Sequence, residues 1–335
     1  ARKSPASGRS KAWITKCIGS PPVGPEGIGT RLRPRWDGPR GHRIACGSSG
    51  EWGLAMSEVD LLVDGLDFGE GPRWHDGQLW YSDFFQHRVY TVTADGRRET
   101  VLDLGEEQPS GLGWLPDGNL LIVGMLGRRI LRYDGTQVRV HAELGHIATS
   151  YCNDMVVDQR GNAYVGNFGF DYGAGQAPVG AALALVRPDG STLAVAEDLQ
   201  FPNGAVITPD GTTLVVGETF GSRYCAFTIA TDGTLSDRRI WAEVPGRMPD
   251  GCCLDTAGGI WFANAIRPEV ARVVEGGEIT DAIEVPQRAF ACMLGGDQGT
   301  TLFVITAPSD PQGGLSPGQG AIWAVEVNAQ HAGLP

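Results

Sequence analysis

At 335 residues, with 41% hydrophobic and 20% charged side chains, the chain is long enough for one large domain or two ordinary ones. No stretch approaches the ~18 apolar residues that span a bilayer, so a soluble protein is expected. The net charge of −12 is uneven: residues 1–55 carry +7, and the −19 left on the remainder would repel nucleic-acid phosphates and anionic membrane.

Residues 1–55 hold ten Gly and six Pro and show no hydrophobic period of either 3.6 or 2. They are predicted to be a disordered basic leader of vector-derived or upstream origin, with Met56 as the natural start. A secretory signal would need an apolar centre of at least ~7 residues, which is missing. A nucleic-acid-binding arm would be expected to interleave aromatics with its basic residues, and this one does not.

From residue 56 onward the chain is punctuated by hairpin turns. Asp76-Gly77, Asp95-Gly96, Asp117-Gly118 and Asp134-Gly135 open the series. Arg160-Gly161, Asp189-Gly190, Asp210-Gly211 and Asp232-Gly233 continue it, and Ala257-Gly258, Gly276-Gly277 and Gln298-Gly299 end it. Successive turns lie about 20 residues apart, or about 30 across the loop 168–178, so pairs of turns define a unit of roughly 41 to 50 residues.

Each unit begins with two apolar strands around its first turn, as in 112–115 with 120–123, or 205–208 with 213–216. A third and fourth strand follow, as in 129–133 and 138–141. Four short antiparallel strands per unit, repeated six times with no helical periodicity, predict an all-β, six-bladed β-propeller over residues 56–335. The last unit shows only three strands, ending at 321–327, so strand 59–63 is expected to complete it and close the ring. A pair of β-sandwiches would break the rhythm near the middle of the chain, and no break occurs.

Seven cysteines show neither a CxxC pair nor zinc spacing. The five beyond residue 56 sit mostly in apolar runs and are expected to be buried free thiols, which points to a reducing, cytoplasmic setting.

In a propeller the innermost strands start at the central channel, so residues at equivalent starting positions converge. Counting back seven residues from each unit's first turn, or six in the first unit, reaches Glu70, Ser110, Asn153, Asn203, Asp250 and Ala291. Turn capping explains an Asn or Asp at any one of these positions, but gives no reason for a Glu at the first or for four polar groups in one register. Two carboxylates with one or two amide oxygens at a narrow mouth need a compensating charge. A divalent cation supplies it; all-oxygen ligation suits Ca²⁺ first, then Mg²⁺ or Mn²⁺, with Zn²⁺ tolerated.

The motifs around these positions are Gly69-Glu70-Gly71-Pro72-Arg73-Trp74, Asn153-Asp154 ahead of Asp158-Gln159-Arg160-Gly161, Phe201-Pro202-Asn203-Gly204, Pro249-Asp250-Gly251 and Cys292-Met293-Leu294-Gly295-Gly296. In order and spacing, over about residues 60–308, they resemble the regucalcin (senescence marker protein)/gluconolactonase family. The resemblance implies a six-bladed propeller whose metal is held by Glu70, Asn203 and Asp250, with Asn153 beside it touching substrate or a bound water. It offers Asp250 as general base and Asp154 as a weaker candidate. Sugar-lactone members often carry Arg two residues before the Asn-Asp pair, where this chain has Tyr151.

The expected activity is metal-dependent hydrolysis of lactones or related small esters, with the metal as Lewis acid and Asp250 as base. No Gly-x-Ser-x-Gly elbow is present, and His146 reads better as a surface loop residue than as part of a triad. Phe84, Phe85, Tyr151, Phe168, Phe170, Tyr172, Phe220 and Phe290 flank the predicted mouth, and Tyr151, Phe168 and Phe220 are expected to touch substrate. With Arg absent at 151, these aromatics favour a substrate less polar than a free aldonolactone. A phosphotriesterase-like hydrolase on the same scaffold and a non-catalytic metal-binding propeller remain as alternatives. The oligomeric state is not legible.

Overall fold

The computed structural model describes residues 59–171, 174–308 and 317–335. The predicted leader, the start at Met56 and Tyr172 lie outside the described residues. Among the described residues every regular element is a strand, and no helix is long and apolar enough to cross a membrane.

The strands form six antiparallel sheets, the six blades of a propeller. In all eleven turns predicted from the sequence the second residue is a glycine at φ between 70° and 95°. That left-handed conformation is cheap for glycine and costly for any residue with a Cβ, which is why the turns were legible. In five of the seven turns led by Asp the carboxylate takes the backbone N–H two residues on. Asp117 accepts from Asn119, Asp210 from Thr212 and Asp232 from Thr234.

The innermost strands of blades I to VI are Gly69–His75, Pro109–Trp114, Cys152–Val157, Pro202–Ile207, Pro249–Asp255 and Arg288–Gly295. Each packs against the inner strands of both neighbours, so the six close into a ring. Five of them begin one residue before the polar position, earlier than the apolar runs suggest. Their first residues (Pro202-Asn203-Gly204, for example) are poor strand formers. They pair nonetheless across a register shift, between Pro202 and Ala205 in blade IV and at equivalent places in the other five. Such bulges bend a strand and re-aim its side chains.

Blade VI closes as expected. Strand Asp60–Leu66 pairs with Gly320–Glu326 outside Thr301–Ala307 and Arg288–Gly295, joining the two ends of the described chain in one sheet. One element has no counterpart in the sequence reading: His331–Ala332 adds a fifth strand beside Pro249–Asp255, and Leu334 bridges to Ile207. The tail thereby crosses the inner strands of blades IV and V at the end opposite the polar positions.

The core lies between blades rather than in one centre; Leu66, Leu79 and Ile305 pack where blades I and VI meet, and Leu214, Val216 and Tyr164 where III and IV meet. Cys152, Cys225, Cys252, Cys253 and Cys292 are all free and buried, as expected.

Candidate functional site

Glu70, Ser110, Asn153, Asn203 and Asp250 each occupy the second position of their inner strand. They are strand residues and not turn caps. The residue that follows is glycine in four blades, because the next blade's backbone lies against it. A Cβ on Gly204 would meet the Asp250 carbonyl oxygen at 2.4 Å, and one on Gly71 the Ser110 carbonyl oxygen at 2.7 Å. Blade III breaks this rule with Asp154. Its side chain fits because blade II presents Gly111, where an added Cβ would lie 2.5 Å from Asp154 Oδ1.

Glu70, Asn153, Asn203 and Asp250, all buried, line one pocket of about 70 Å³ at this end of the channel. Phe168 and Phe220 line it too. Asp154 does not. Its Oδ1 accepts from Arg73 Nη2 at 2.7 Å and from the Met155 N–H at 2.8 Å. Arg73 spends its remaining N–H groups on the carbonyls of Pro72, Leu112 and Met155, tying blades I, II and III together. Tyr151 also stays out of the lining and stands edge-on to Phe168 at 6.0 Å. His146 is exposed, bonded to Thr192 and outside the pocket's lining.

The electrostatics are those of crowded carboxylates. Burial, then the charges of Asp250 and Asp154, push the Glu70 carboxyl well above its ordinary range against the opposing Gly71 N–H and Arg73. Burial and Asp154 do the same to Asp250, partly countered by Asn203 and the Gly251 N–H. Asn203 Nδ2 donates to Thr219 Oγ1 at 3.2 Å, and the Thr219 hydroxyl donates to the Pro249 carbonyl at 2.8 Å. This chain fixes the amide. Asn153 Nδ2 reaches the Pro202 carbonyl at 3.4 Å.

Two oxygens are left over: Asn203 Oδ1 and Asp250 Oδ1 are buried and have no hydrogen-bond partner. Burying such groups unsatisfied is costly, so their presence together points to something that binds them. Among the described residues no three Asp, Glu, His or Cys side chains gather at one point. The donor set is instead two carboxylates and two amide oxygens, which fits a hard divalent cation and fits zinc or iron less well.

Thr219, Phe68, Phe201, Met248, Ala265 and Ile266 complete much of the lining without having been assigned to the site from sequence. The signal was present. Strand two of four blades ends on a buried polar residue, Asp83, Asn167, Glu218 or Asn264, whose side chain collects loop N–H groups. The wall residues follow it by one or two positions, or directly precede an inner strand.

A model of the SMP-30/gluconolactonase/LRE-like region matches residues 68–308. Pentonolactonase XacC of Haloferax volcanii is 27% identical over 82% of this chain and 96% of its own length. The 6-deoxy-6-sulfogluconolactonase of Pseudomonas putida is 25% identical over 80% and 94%. The solved structure of XC5397, a gluconolactonase from Xanthomonas campestris, superposes with a TM-score of 0.65 at 26% identity, covering 83% of this chain and 90% of that one.

Proposed function

The chain belongs to the SMP-30/gluconolactonase/LRE-like family, and from that premise we propose that it hydrolyses lactones or closely related small esters in the pocket floored by Glu70, Asn153, Asn203 and Asp250. The observation that carries the reading is the pair of partnerless oxygens on Asn203 and Asp250, beside a buried Glu70. The lactonase names of the relatives agree with it.

Glu70, Asn203 and Asp250 would hold a divalent cation, Ca²⁺ by the hardness of the donors. Bound there, such an ion would supply Lewis acidity to the ester carbonyl and a counter-charge to the oxyanion, an effect on the order of several kcal/mol. Asp250 takes the proton of the attacking water, whose oxygen bonds to the acyl carbon. As the ring C–O bond breaks, the proton passes to the leaving alkoxide. Asn153, tethered to the Pro202 carbonyl, orients the water or the carbonyl. Thr219 keeps the Asn203 oxygen turned toward the floor. Asp154, committed to Arg73, serves as a fixed charge behind the site and is the weaker base.

The test is a lactone panel assayed with and without chelator. Turnover that chelation abolishes and Ca²⁺, Mg²⁺ or Mn²⁺ restores is the expected result. Activity unaffected by chelator removes the cation from the scheme, and a chain inert on every lactone but binding the cation is a binding propeller. Oxygen-18 from water appearing in the Asp250 carboxylate after one turnover would replace the general base by a nucleophile.

A further inference from the structure

The pocket's polar groups are confined to the inner-strand positions and to Thr219, which is bonded to one of them. Among the described residues every other side chain that lines it is apolar. Phe68, Phe201 and Met248 come one residue before the inner strands of blades I, IV and V. Phe84, Phe168 and Ala265 come one residue after the second strands of blades I, III and V, with Phe220 and Ile266 close behind.

The rings form two groups. Phe68 lies 5.3 Å from Phe84 and 4.6 Å from Phe290, joining blades I and VI. Phe201 stacks on Phe168 at 4.3 Å and meets Phe220 edge-on at 5.1 Å, joining blades III and IV. In a six-membered ring of blades these pairs stand on opposite sides of the axis.

Among the described residues no Lys, Arg or His lines the pocket. Arg247 and Arg267, next in sequence to Met248 and Ile266, stay outside that lining; Arg247 is paired with Glu269 at 2.8 Å and Arg267 is exposed. Arg73, three residues from Glu70, is held by Asp154 and three carbonyls. Gln108, in blade II at the position of Phe68 and Phe201, is buried outside the lining.

Accepting the lactonase reading above, we infer that the substrate is an uncharged lactone whose ring or substituent is apolar, aryl-fused or alkyl, rather than a polyhydroxylated or anionic one. The apolar side chains of the described wall offer no hydrogen-bonding side-chain partner to a sugar hydroxyl. An added hydroxyl in an apolar pocket lowers kcat/KM by about a hundredfold even in a pocket that accommodates its size. A carboxylate or sulfonate would enter beside two carboxylates with no cation on the wall to receive it. The chain thus departs from the sugar lactones after which the relatives above are named.

The deciding experiment compares kcat/KM for dihydrocoumarin, γ-heptalactone and glucono-δ-lactone on the purified, Ca²⁺-loaded chain. The two apolar lactones are expected to exceed the sugar lactone by at least tenfold. Glucono-δ-lactone as the best of the three overturns the inference and leaves the lactonase reading standing. If none is hydrolysed, the lactonase reading fails. Calorimetric binding of the lactam counterparts of dihydrocoumarin and gluconolactone then judges the wall alone, and tighter binding of the sugar lactam overturns the inference. The variant Phe220→Arg, at a half-buried position where a long side chain reaches solvent, is expected to raise KM for dihydrocoumarin about tenfold. An unchanged KM would show that this wall does not meet the substrate.

Discussion

At the scale of single residues, Asp250 carries the most exposed claim. It is buried, one of its oxygens has no partner, and it lines the same pocket as Glu70. Asp250→Asn keeps the shape and one oxygen but not the basicity. Turnover is therefore expected to fall by about 10²–10⁴ while calorimetry still detects cation binding, weakened. Full activity in this variant would remove Asp250 as the base.

Glu218 makes a contrasting case, a buried carboxylate with a structural task. Burial alone would push its carboxyl up. The Arg223 guanidinium, the Cys225 thiol and the Gln200 N–H together outweigh burial and hold it below the ordinary value of 4.5. Arg238 adds a second ion pair at 3.1 Å. A carboxyl depressed in the folded state stabilises the fold fully above its unfolded pKa, and that contribution disappears as pH falls through the lower folded value. Glu218→Gln is expected to cost about 2–3 kcal/mol at pH 7, less than for a fully enclosed pair because both arginines are a third exposed. Its melting temperature should also depend less on pH below about 4.5 than that of the parent. Parallel melting curves across that acid range would contradict the assignment.

At the scale of elements, the start of each inner strand couples the site to the fold. The residue after the polar position is pressed against the neighbouring blade, so the same backbone contact that seals the ring also aims the side chain. Gly204→Ala would place a methyl 2.4 Å from the Asp250 carbonyl oxygen and 2.8 Å from the Cys252 nitrogen, both backbone atoms. Overpacking of this kind costs about 1–3 kcal/mol. Because the strand that must yield carries Asp250, the variant is expected to lose at least tenfold in kcat beyond its loss of stability. Activity intact at a lowered melting temperature would uncouple the two.

These strand starts were partly hidden in the sequence. Asn153, Asn203 and Asp250 looked like residues just ahead of strands, since Pro, Asn, Asp and Gly carry no strand propensity. The ladder admits them through a bulge, which is a pairing decision between two strands and leaves no mark on either one alone. The added strand His331–Ala332 was invisible for a related reason: two residues paired to another blade's edge have no period to detect.

At the scale of the whole molecule, closure is the structural device to test. Strand Asp60–Leu66 comes from one end of the described chain and covers the outer edge of blade VI, burying Val63 and Leu66. A chain beginning at Asp67 would lose those two side chains from the core, about 3–6 kcal/mol, and expose the unpaired strand Gly320–Glu326. Its melting temperature is expected to fall by roughly 10 °C, with concentration-dependent aggregation. A monomeric protein of unchanged melting temperature would show that the ring does not depend on this clasp.

What the chain's sequence determined by itself was whatever depends on short-range chemistry. Each Asp-Gly turn needs only its own glycine at positive φ, and repetition of that local requirement was enough to count six blades and to set Glu70, Asn153, Asn203 and Asp250 in one register. Only the tertiary structure decided which polar groups share a pocket and which are already committed. Asp154, adjacent to Asn153 and alike in type to Asp250, is drawn away by Arg73 of blade I into space left by Gly111 of blade II. The Phe-lined wall is likewise assembled from loop ends of several blades. Both outcomes rest on contacts between residues far apart in the chain, where packing and the pairing of buried charge choose the partner and no local pattern records the choice.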